Sequence, residues 1–219
     1  MNGDAKARIA ERAARELRAG EVVNLGIGIP NLIPGFLAAD AGVVLHTENG
    51  LLGVGPRPNG DDLDPDLIDA AKQPVTALPG AAYFDSADSF AMIRGGHVDV
   101  AVLGALEVSE RGDIANWAVP GKDVLGVGGA MDLVVGARRV IVTMTATSSR
   151  GRPKLVAECS YPLTAAGAAD VIVTELGVFR RVDGELRLTE LLDGATVEDV
   201  AAVTSAHFVV ALEESYASP

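Results

Sequence analysis

The chain has 219 residues, 48% of them hydrophobic, and is long enough to bury one sizeable core. Its formal net charge of −12 argues against nucleic-acid binding, because phosphates are held through clustered Lys and Arg. The single cysteine, Cys159, excludes an internal disulfide and a thiolate metal site, as is typical of a reducing compartment such as the cytoplasm.

The N-terminal segment predicts an amphipathic helix rather than a targeting signal. Apolar residues recur at helical spacing from Ile9 to Leu17, after Asp4 and before Gly20. Charged residues interrupt them, so no signal peptide is expected. No later run reaches the ~18 uncharged apolar residues that span a bilayer. We therefore expect a soluble cytoplasmic protein that does not associate with membranes.

Short runs rich in Val and Ile follow, as expected for strands covered on both faces. Helix signals separate several of them: residues 86–94 end at Gly95 and Gly96, and another helix begins at Thr196, with Asp199 placed for a capping box. This alternation predicts an α/β fold with a mainly parallel, doubly wound sheet flanked by helices. The predicted strands are residues 22–25, 43–46, 98–103, 140–144, 171–174 and 208–212.

The pattern changes between residues 178 and 192, where apolar and polar residues alternate on both sides of Asp183-Gly184. That dipeptide is a strong signal for a two-residue hairpin turn, so a small antiparallel hairpin is predicted near the C-terminus. No repeat, low-complexity tract or linker divides the chain. Residues 1–219 are therefore expected to form one domain.

Four glycine-rich loops flank predicted strands and mark a candidate site. In doubly wound sheets the ligand crevice lies beyond the carboxyl ends of the strands, and glycine there lets a ligand approach the backbone. A dinucleotide site is disfavoured, because Asn31 stands where the third glycine of the fingerprint would follow Gly26 and Gly28. The loops contain Gly26 and Gly28, Gly50 to Gly55, Gly95 and Gly96, and Gly126 to Gly129.

Glu48 is the most informative residue of these loops. It ends the apolar run VVLHTE and enters the glycine-lined loop NGLLGVGP, so its carboxylate should project from a strand terminus into the crevice. The alternative is a solvated turn residue. A glutamate carboxylate, with an ordinary pKa of ~4.3, is ionised at neutral pH and can act as a nucleophile without a general base.

Several long motifs in order resemble the beta chain of family I coenzyme A transferases, which include the 3-oxoacid and 3-oxoadipate transferases. They are GIGIPN, TENGLLGVGP, KQPVTALPGA, FDSADSFAMIRGGHVDVAVLGALEVSERGDIANW, VPGK, GVGGAMDLVVGA, PLT, ELGVF and TVEDV. The resemblance extends from about Ala7 to the end of the chain. It implies that coenzyme A is transferred between an acyl-CoA and a 3-oxoacid, dicarboxylic or short-chain acid, with a separate alpha subunit as partner and no permanently bound cofactor.

The resemblance also implies roles for individual residues. Glu48 matches the nucleophilic glutamate of a Ser-Glu-Asn-Gly motif, with Thr47 in place of the serine, and would carry a glutamyl-CoA thioester. Gly129 and Ala130 match the backbone segment that faces the acyl oxygen, a task that suits backbone N–H groups. The residues implied in substrate and coenzyme A binding are Asn24, Gly26, Gly28, Asn49, Gly50, Lys72 and Gly128.

No metal site is predicted. His46, His97 and His207 are far apart in the sequence and form no ligand pair at metal-binding spacing, so each is interpreted as structural, as is Cys159. Two alternatives remain: a coenzyme A-dependent hydrolase or ring-opening enzyme, and a non-catalytic ligand-binding domain on the same scaffold.

Overall fold

A mixed ten-stranded sheet forms the centre of the protein in the computed structural model, which describes residues 2–60, 63–121 and 126–212. The strand order is β13-β12-β11-β10-β8-β5-β1-β2-β3-β4. In chain order the strands are β1 (Val22–Leu25), β2 (Val44–Thr47), β3 (Leu51–Val54), β4 (Ala77–Tyr83), β5 (Val100–Gly104), β6 (Glu107–Ser109), β7 (Ile114–Ala115), β8 (Arg139–Thr143), β9 (Leu155–Val156), β10 (Val171–Val173), β11 (Gly177–Val182), β12 (Glu185–Leu191) and β13 (Val209–Val210).

The middle of this sheet is parallel, as predicted. Strands β10, β8, β5, β1 and β2 pair in parallel, so their carboxyl ends meet at one edge. Strand β5 explains why the sequence lacks alternation there. Val100 and Val102 belong to the core on one face, while Ala101 and Leu103 belong to the core on the other. A strand buried on both faces needs apolar residues at every position.

Helices cover both faces of the sheet. One face packs against α1 (Asn2–Ala14) and a 3₁₀ segment (Pro30–Phe36), whose Ile9 and Ile33 are fully buried. The opposite face packs against α2 (Ser86–Arg94), α3 (Ala130–Gly136) and α4 (Val197–Ala202). This arrangement confirms the predicted doubly wound α/β class.

Helix α1 is shorter than its apolar pattern predicts, because it ends at Ala14 rather than close to Gly20. The N–H groups of Arg15, Glu16 and Leu17 bond to carbonyl groups three residues back, which tightens the chain into turns. Helix α4 has the predicted capping box: Thr196 accepts from the N–H of Asp199, whose side chain accepts from the N–H of Thr196.

The predicted hairpin is present, with Asp183 and Gly184 both at positive φ (54° and 82°) in the turn between β11 and β12. It is not a separate appendage, because β11 pairs with β10 and so extends the main sheet. Antiparallel β3 and β4 extend the opposite side. A small sheet, β7-β6-β9, lies apart from the large one. Within the described ranges, no helix is both long and apolar enough to cross a bilayer.

Candidate active site

The carboxyl ends of three parallel strands, β1, β2 and β5, border a cavity of about 290 Å³. It lies where the strand order reverses, because the chain leaves β1 towards β2 on one side and returns to β5 on the other. Such a switch point is where open α/β sheets bind ligands. The cavity is lined by Gly26, Ile27, Glu48, Leu103, Gly104, Asn116, Trp117, Gly126, Val127, Gly128, Gly129, Ala130 and Leu133.

Glu48 reaches this cavity from a tight turn. Glu48, Asn49 and Gly50 connect β2 to β3, which pair in antiparallel fashion. Gly50 has a φ of 123°, and a Cβ atom at this position would collide with the carbonyl oxygen of Phe84. The turn therefore requires glycine for its own geometry. This structural reason accounts for Gly50, which does not line the cavity, without any contact to a ligand.

The half-buried side chain of Glu48 lies between β1 and the start of α3. Asn24 Nδ2, on β1, donates a hydrogen bond to Glu48 Oε2 at 3.3 Å. On the other side, the Cβ position of Gly129 is 3.7 Å from Glu48 Cγ and 3.0 Å from Phe90 Cζ. A side chain at residue 129 would press on Phe90 and approach Glu48. Glycine here leaves the backbone of α3 accessible to a group bound at the carboxylate.

The first turn of α3 offers backbone donors at this point. Gly129 is the N-cap residue and supplies no side-chain cap, and Gly128 before it has a φ of 64°. The first bond of the helix is from Leu133 N–H to the carbonyl of Gly129. Among the described residues, the N–H groups of Gly129 and Ala130 have no backbone acceptor. Unpaired donors at a helix start suit a developing negative charge.

The remaining predicted residues divide into two groups. Gly26 lines the cavity and packs closely on β5, where its N–H bonds to the carbonyl of Val102 at 2.8 Å. Gly28 has a φ of 99° and open space around it, but it does not line the cavity. Asn49 and Lys72 also lie outside it.

Asn49 and Lys72 belong to the loop structure beside Glu48. Asn49 Nδ2 donates to the carbonyl of Ile68 at 2.7 Å, and its Oδ1 accepts from Thr47 Oγ1 at 2.8 Å. These bonds fasten the loop that contains Lys72 to the end of β2. Lys72 is exposed, with a φ of 61°.

His46 and Ser89 do not line this cavity, but they are connected to Asn24 by hydrogen bonds that the sequence interpretation did not foresee. His46 Nδ1 is 3.0 Å from Asn24 Nδ2, and His46 Nε2 is 3.1 Å from Ser89 Oγ. Burial lowers the pKa of His46 to about 4, so the ring is neutral at neutral pH. One signal was available: Glu48 comes two residues after His46 where the predicted strand ends, and residues two apart in an extended chain point to the same side.

Asn116 and Trp117 also line this cavity, and the sequence interpretation did not name them as site residues. Asn116 Nδ2 donates to the carbonyl of Gly104 at 3.2 Å, and its Oδ1 accepts from Thr164 Oγ1 at 2.6 Å. Trp117 Nε1 donates to the carbonyl of Leu163 at 3.2 Å. The bond to Gly104 holds Asn116 at the end of β5, the other two bonds join this segment to residues 163 and 164, and no local sequence pattern indicates them.

Other reactive groups lie outside this cavity. Burial first, and nearby carboxylates second, raise the pKa of Cys159 to about 12, so its thiol is a poor nucleophile. In the part of the chain that the structure describes, no group of three His, Cys, Asp or Glu residues could hold a metal ion. Three larger cavities, of about 360, 650 and 430 Å³, are not lined by Glu48.

Comparison with known proteins identifies what the chain resembles. Residues 6–202 match the family described as Coenzyme A transferase. The chain is 51% identical over 210 residues to the beta chain of the acetate CoA-transferase of Escherichia coli K12, covering 96% of each chain. It is 50% identical to one subunit of a probable succinyl-CoA:3-ketoacid coenzyme A transferase of Bacillus subtilis, covering 94% of this chain and 96% of the relative.

A solved structure shares the fold. The apoenzyme of the acyl-CoA transferase YdiF from Escherichia coli O157:H7 superposes with a TM-score of 0.76 at 24% identity. The match covers 94% of this chain but only 42% of the YdiF chain. This chain thus corresponds to nearly all of each bacterial relative above and to less than half of YdiF.

Proposed function

The chain belongs to the coenzyme A transferase family, and from that premise we propose that it transfers coenzyme A from an acyl-CoA to a carboxylic acid through a glutamyl-CoA thioester on Glu48. The acids are 3-oxoacids, dicarboxylic acids or short-chain acids. The observation that carries this proposal is the position of the Glu48 carboxylate, on the cavity wall against the open first turn of α3.

In the first step, a carboxylate oxygen of Glu48 attacks the thioester carbonyl of the acyl-CoA. Negative charge develops on the acyl oxygen, where the N–H groups of Gly129 and Ala130 stabilise it. Collapse of this intermediate breaks the carbon–sulfur bond and releases coenzyme A thiolate. The product on the enzyme is a mixed anhydride between the acyl group and Glu48.

In the second step, the thiolate attacks the glutamyl carbonyl of the anhydride and expels the first acid as its carboxylate. Glu48 then carries coenzyme A as a thioester, so the thioester free energy is conserved. An incoming acid repeats the steps in reverse and leaves as the new acyl-CoA. Coenzyme A enters and leaves as part of the substrates, so this scheme needs no permanently bound cofactor.

Asn24, Gly26 and Gly128 support this chemistry from the cavity wall. Asn24 holds one oxygen of Glu48 at 3.3 Å, which leaves the other oxygen for attack. Gly26 and Gly128 let the thioester approach the backbone. Asn49, Gly50 and Gly28 contribute by shaping the loops, and Lys72 contributes a cation from the neighbouring loop when substrate is bound.

The proposal includes a second, alpha subunit that completes the active site. Two features support it: both bacterial relatives are named as single subunits, and the chain spans only 42% of YdiF. At the cavity mouth, Ile27 and Val127 expose 69% and 48% of their surface. Apolar side chains beside a polar site are suited to burial against a partner. We place this assembly in the cytoplasm, with residues 1–219 as one domain.

A half-reaction test separates this function from its alternatives. The chain, assembled with its proposed alpha subunit, is incubated with acyl-CoA and an isotopically labelled form of the matching free acid. A ping-pong transferase exchanges label into acyl-CoA without a second acid. Net hydrolysis to free coenzyme A would indicate a hydrolase instead, and neither reaction would indicate a binding domain.

A further inference from the structure

Three buried polar side chains from three elements form a chain of hydrogen bonds behind Glu48. Asn24 lies on β1, His46 is its direct neighbour in register on β2, and Ser89 lies on α2. Asn24 and Ser89 are fully buried, and His46 is 3% exposed. The contacts connect Glu48 Oε2 to Asn24 Nδ2, Asn24 Nδ2 to His46 Nδ1, and His46 Nε2 to Ser89 Oγ.

With Glu48 ionised, one arrangement of donors and acceptors fits these contacts, and it leaves the buried Asn24 Oδ1 without a hydrogen-bond partner among the described residues. The amide nitrogen of Asn24 has two hydrogens, one for Glu48 Oε2 and one for His46 Nδ1. His46 Nδ1 must then be unprotonated, so the neutral ring carries its hydrogen on Nε2 and donates it to Ser89 Oγ. Turning the Asn24 amide over would place its oxygen against the Glu48 carboxylate, where two acceptors repel each other.

Packing keeps the His46 ring in this orientation. Its plane is stacked on Phe84, with ring centroids 6.0 Å apart and an interplanar angle of 12°. Burial disfavours the charged form, which would carry a hydrogen on Nδ1 and could not accept from Asn24. The ring is therefore held in one place and one protonation state near neutral pH.

We propose that His46 is a positioning residue that fixes the Asn24 amide so that its second N–H holds Glu48 Oε2 and turns Oε1 towards the cavity. This inference rests on the proposed function, in which Glu48 is the nucleophile. A carboxylate free to rotate reaches the near-attack distance of ~3 to 3.5 Å in only part of its conformations. The held oxygen, Oε2, is the one that stays on Glu48 in the thioester, while Oε1 leaves with the first acid.

Substitutions at residue 46 test this role in the assembled enzyme. His46→Phe keeps the stack on Phe84 but removes the acceptor, and should lower kcat about tenfold or more with little change in KM. His46→Gln offers an oxygen to Asn24 and an amide to Ser89, and should restore most of kcat. His97→Gln is the matched control, because His97 is exposed and lies outside the cavity. Wild-type kcat in His46→Phe would overturn the proposal.

A spectroscopic measurement does not depend on turnover or on the stability of a variant. The ¹⁵N NMR signals of His46 in the wild-type enzyme should show a neutral ring protonated on Nε2 at neutral pH. Protonation on Nδ1, or a charged ring, would refute the role. The proposed function has its own test, the chemical trapping of the coenzyme A thioester on Glu48. If no thioester can be trapped there, the proposed function fails. If it is trapped and His46→Phe has normal kcat, only the positioning role of His46 is refuted.

Discussion

The side chain of Glu48 extends from a turn and contributes little to the apolar core, so its chemistry is separable from stability. Glu48→Ala should reduce transfer by at least about 10³-fold and change the free energy of unfolding by less than about 1 kcal/mol. Glu48→Asp should also lose most activity, because the carboxylate is withdrawn by one methylene. Steady-state rates and thermal melts measure both effects. Glu158→Gln, an exposed glutamate outside the cavity, serves as the control and should remain active.

His46 should make stability depend on pH below neutrality. Its folded pKa of about 4 lies below the ordinary 6.5, so the unfolded chain takes up a proton first as the pH falls. The stability that the neutral His46 ring contributes is fully present above pH ~6.5. About 2 kcal/mol of the free energy of unfolding is therefore lost between about pH 8 and about pH 5. Urea unfolding at both pH values measures the loss, which should be absent in His46→Gln. An equal loss in both proteins would mean that other groups cause it.

Sequence patterns predicted the positions of some residues around the cavity and not of others. The positions of Glu48, Gly26, Gly128 and Gly129 at the cavity follow from a local pattern, a strand terminus beside a glycine-rich loop. The same pattern includes Gly28 and Gly50, which do not line the cavity. His46 was interpreted as structural, because its contacts depend on the register that places it beside Asn24 and on the position of α2 above the sheet. The residues next to His46 in the sequence indicate neither the strand register nor the position of the helix.

At the scale of elements, α1 is fastened to the sheet by buried charges. Glu16, in the turn after α1, accepts hydrogen bonds from Arg180 of β11 and from Arg12, and its side chain is only 6% exposed. Burial alone would raise the pKa of Glu16, but the hydrogen bonds and charges of the two arginines outweigh it and lower the pKa. This stabilisation is present above pH ~4.5 and is lost as the pH falls through the lower, folded value.

Removing that carboxylate should be costly, because it takes away the carboxylate partner of Arg180 and one of the two that pair with Arg12, which keeps Glu190. Glu16→Gln should destabilise the protein by about 3 kcal/mol in urea unfolding at neutral pH. Glu11→Gln on the same helix is the control: Glu11 pairs with Arg15, both are at least half exposed, and the change should cost less than about 1 kcal/mol. Equal effects of the two changes would contradict a buried cluster.

The elements themselves were predictable where their pattern is local. Strand β1 and helix α2 agree with prediction, since a Val-rich run and a capped, glycine-terminated segment are self-contained signals. Strands β3 and β4 were not predicted, because Gly53 and Gly80 interrupt their apolar runs. These two segments are strands because they pair with each other in antiparallel fashion. The two- and three-residue strands of the small sheet depend on their neighbours in the same way.

At the scale of the whole molecule, the open cavity mouth predicts dependence on a partner. The chain alone should fold and yet transfer coenzyme A at less than about 1% of the rate of the assembled enzyme, because proximity and exclusion of water both need a closed site. Size-exclusion chromatography and transfer assays, with and without the alpha subunit, measure this. Full activity of the single chain would show that the partner is unnecessary.

The most direct measurement of the central claim is the location of the covalent intermediate. The assembled enzyme is incubated with acyl-CoA alone, reduced with borohydride, digested and mapped by mass spectrometry. A thioester on Glu48 is reduced to an alcohol, so a mass change is expected on the peptide that contains Glu48, and none in Glu48→Ala. Modification of another residue, or none in an enzyme that transfers coenzyme A normally, would contradict the mechanism.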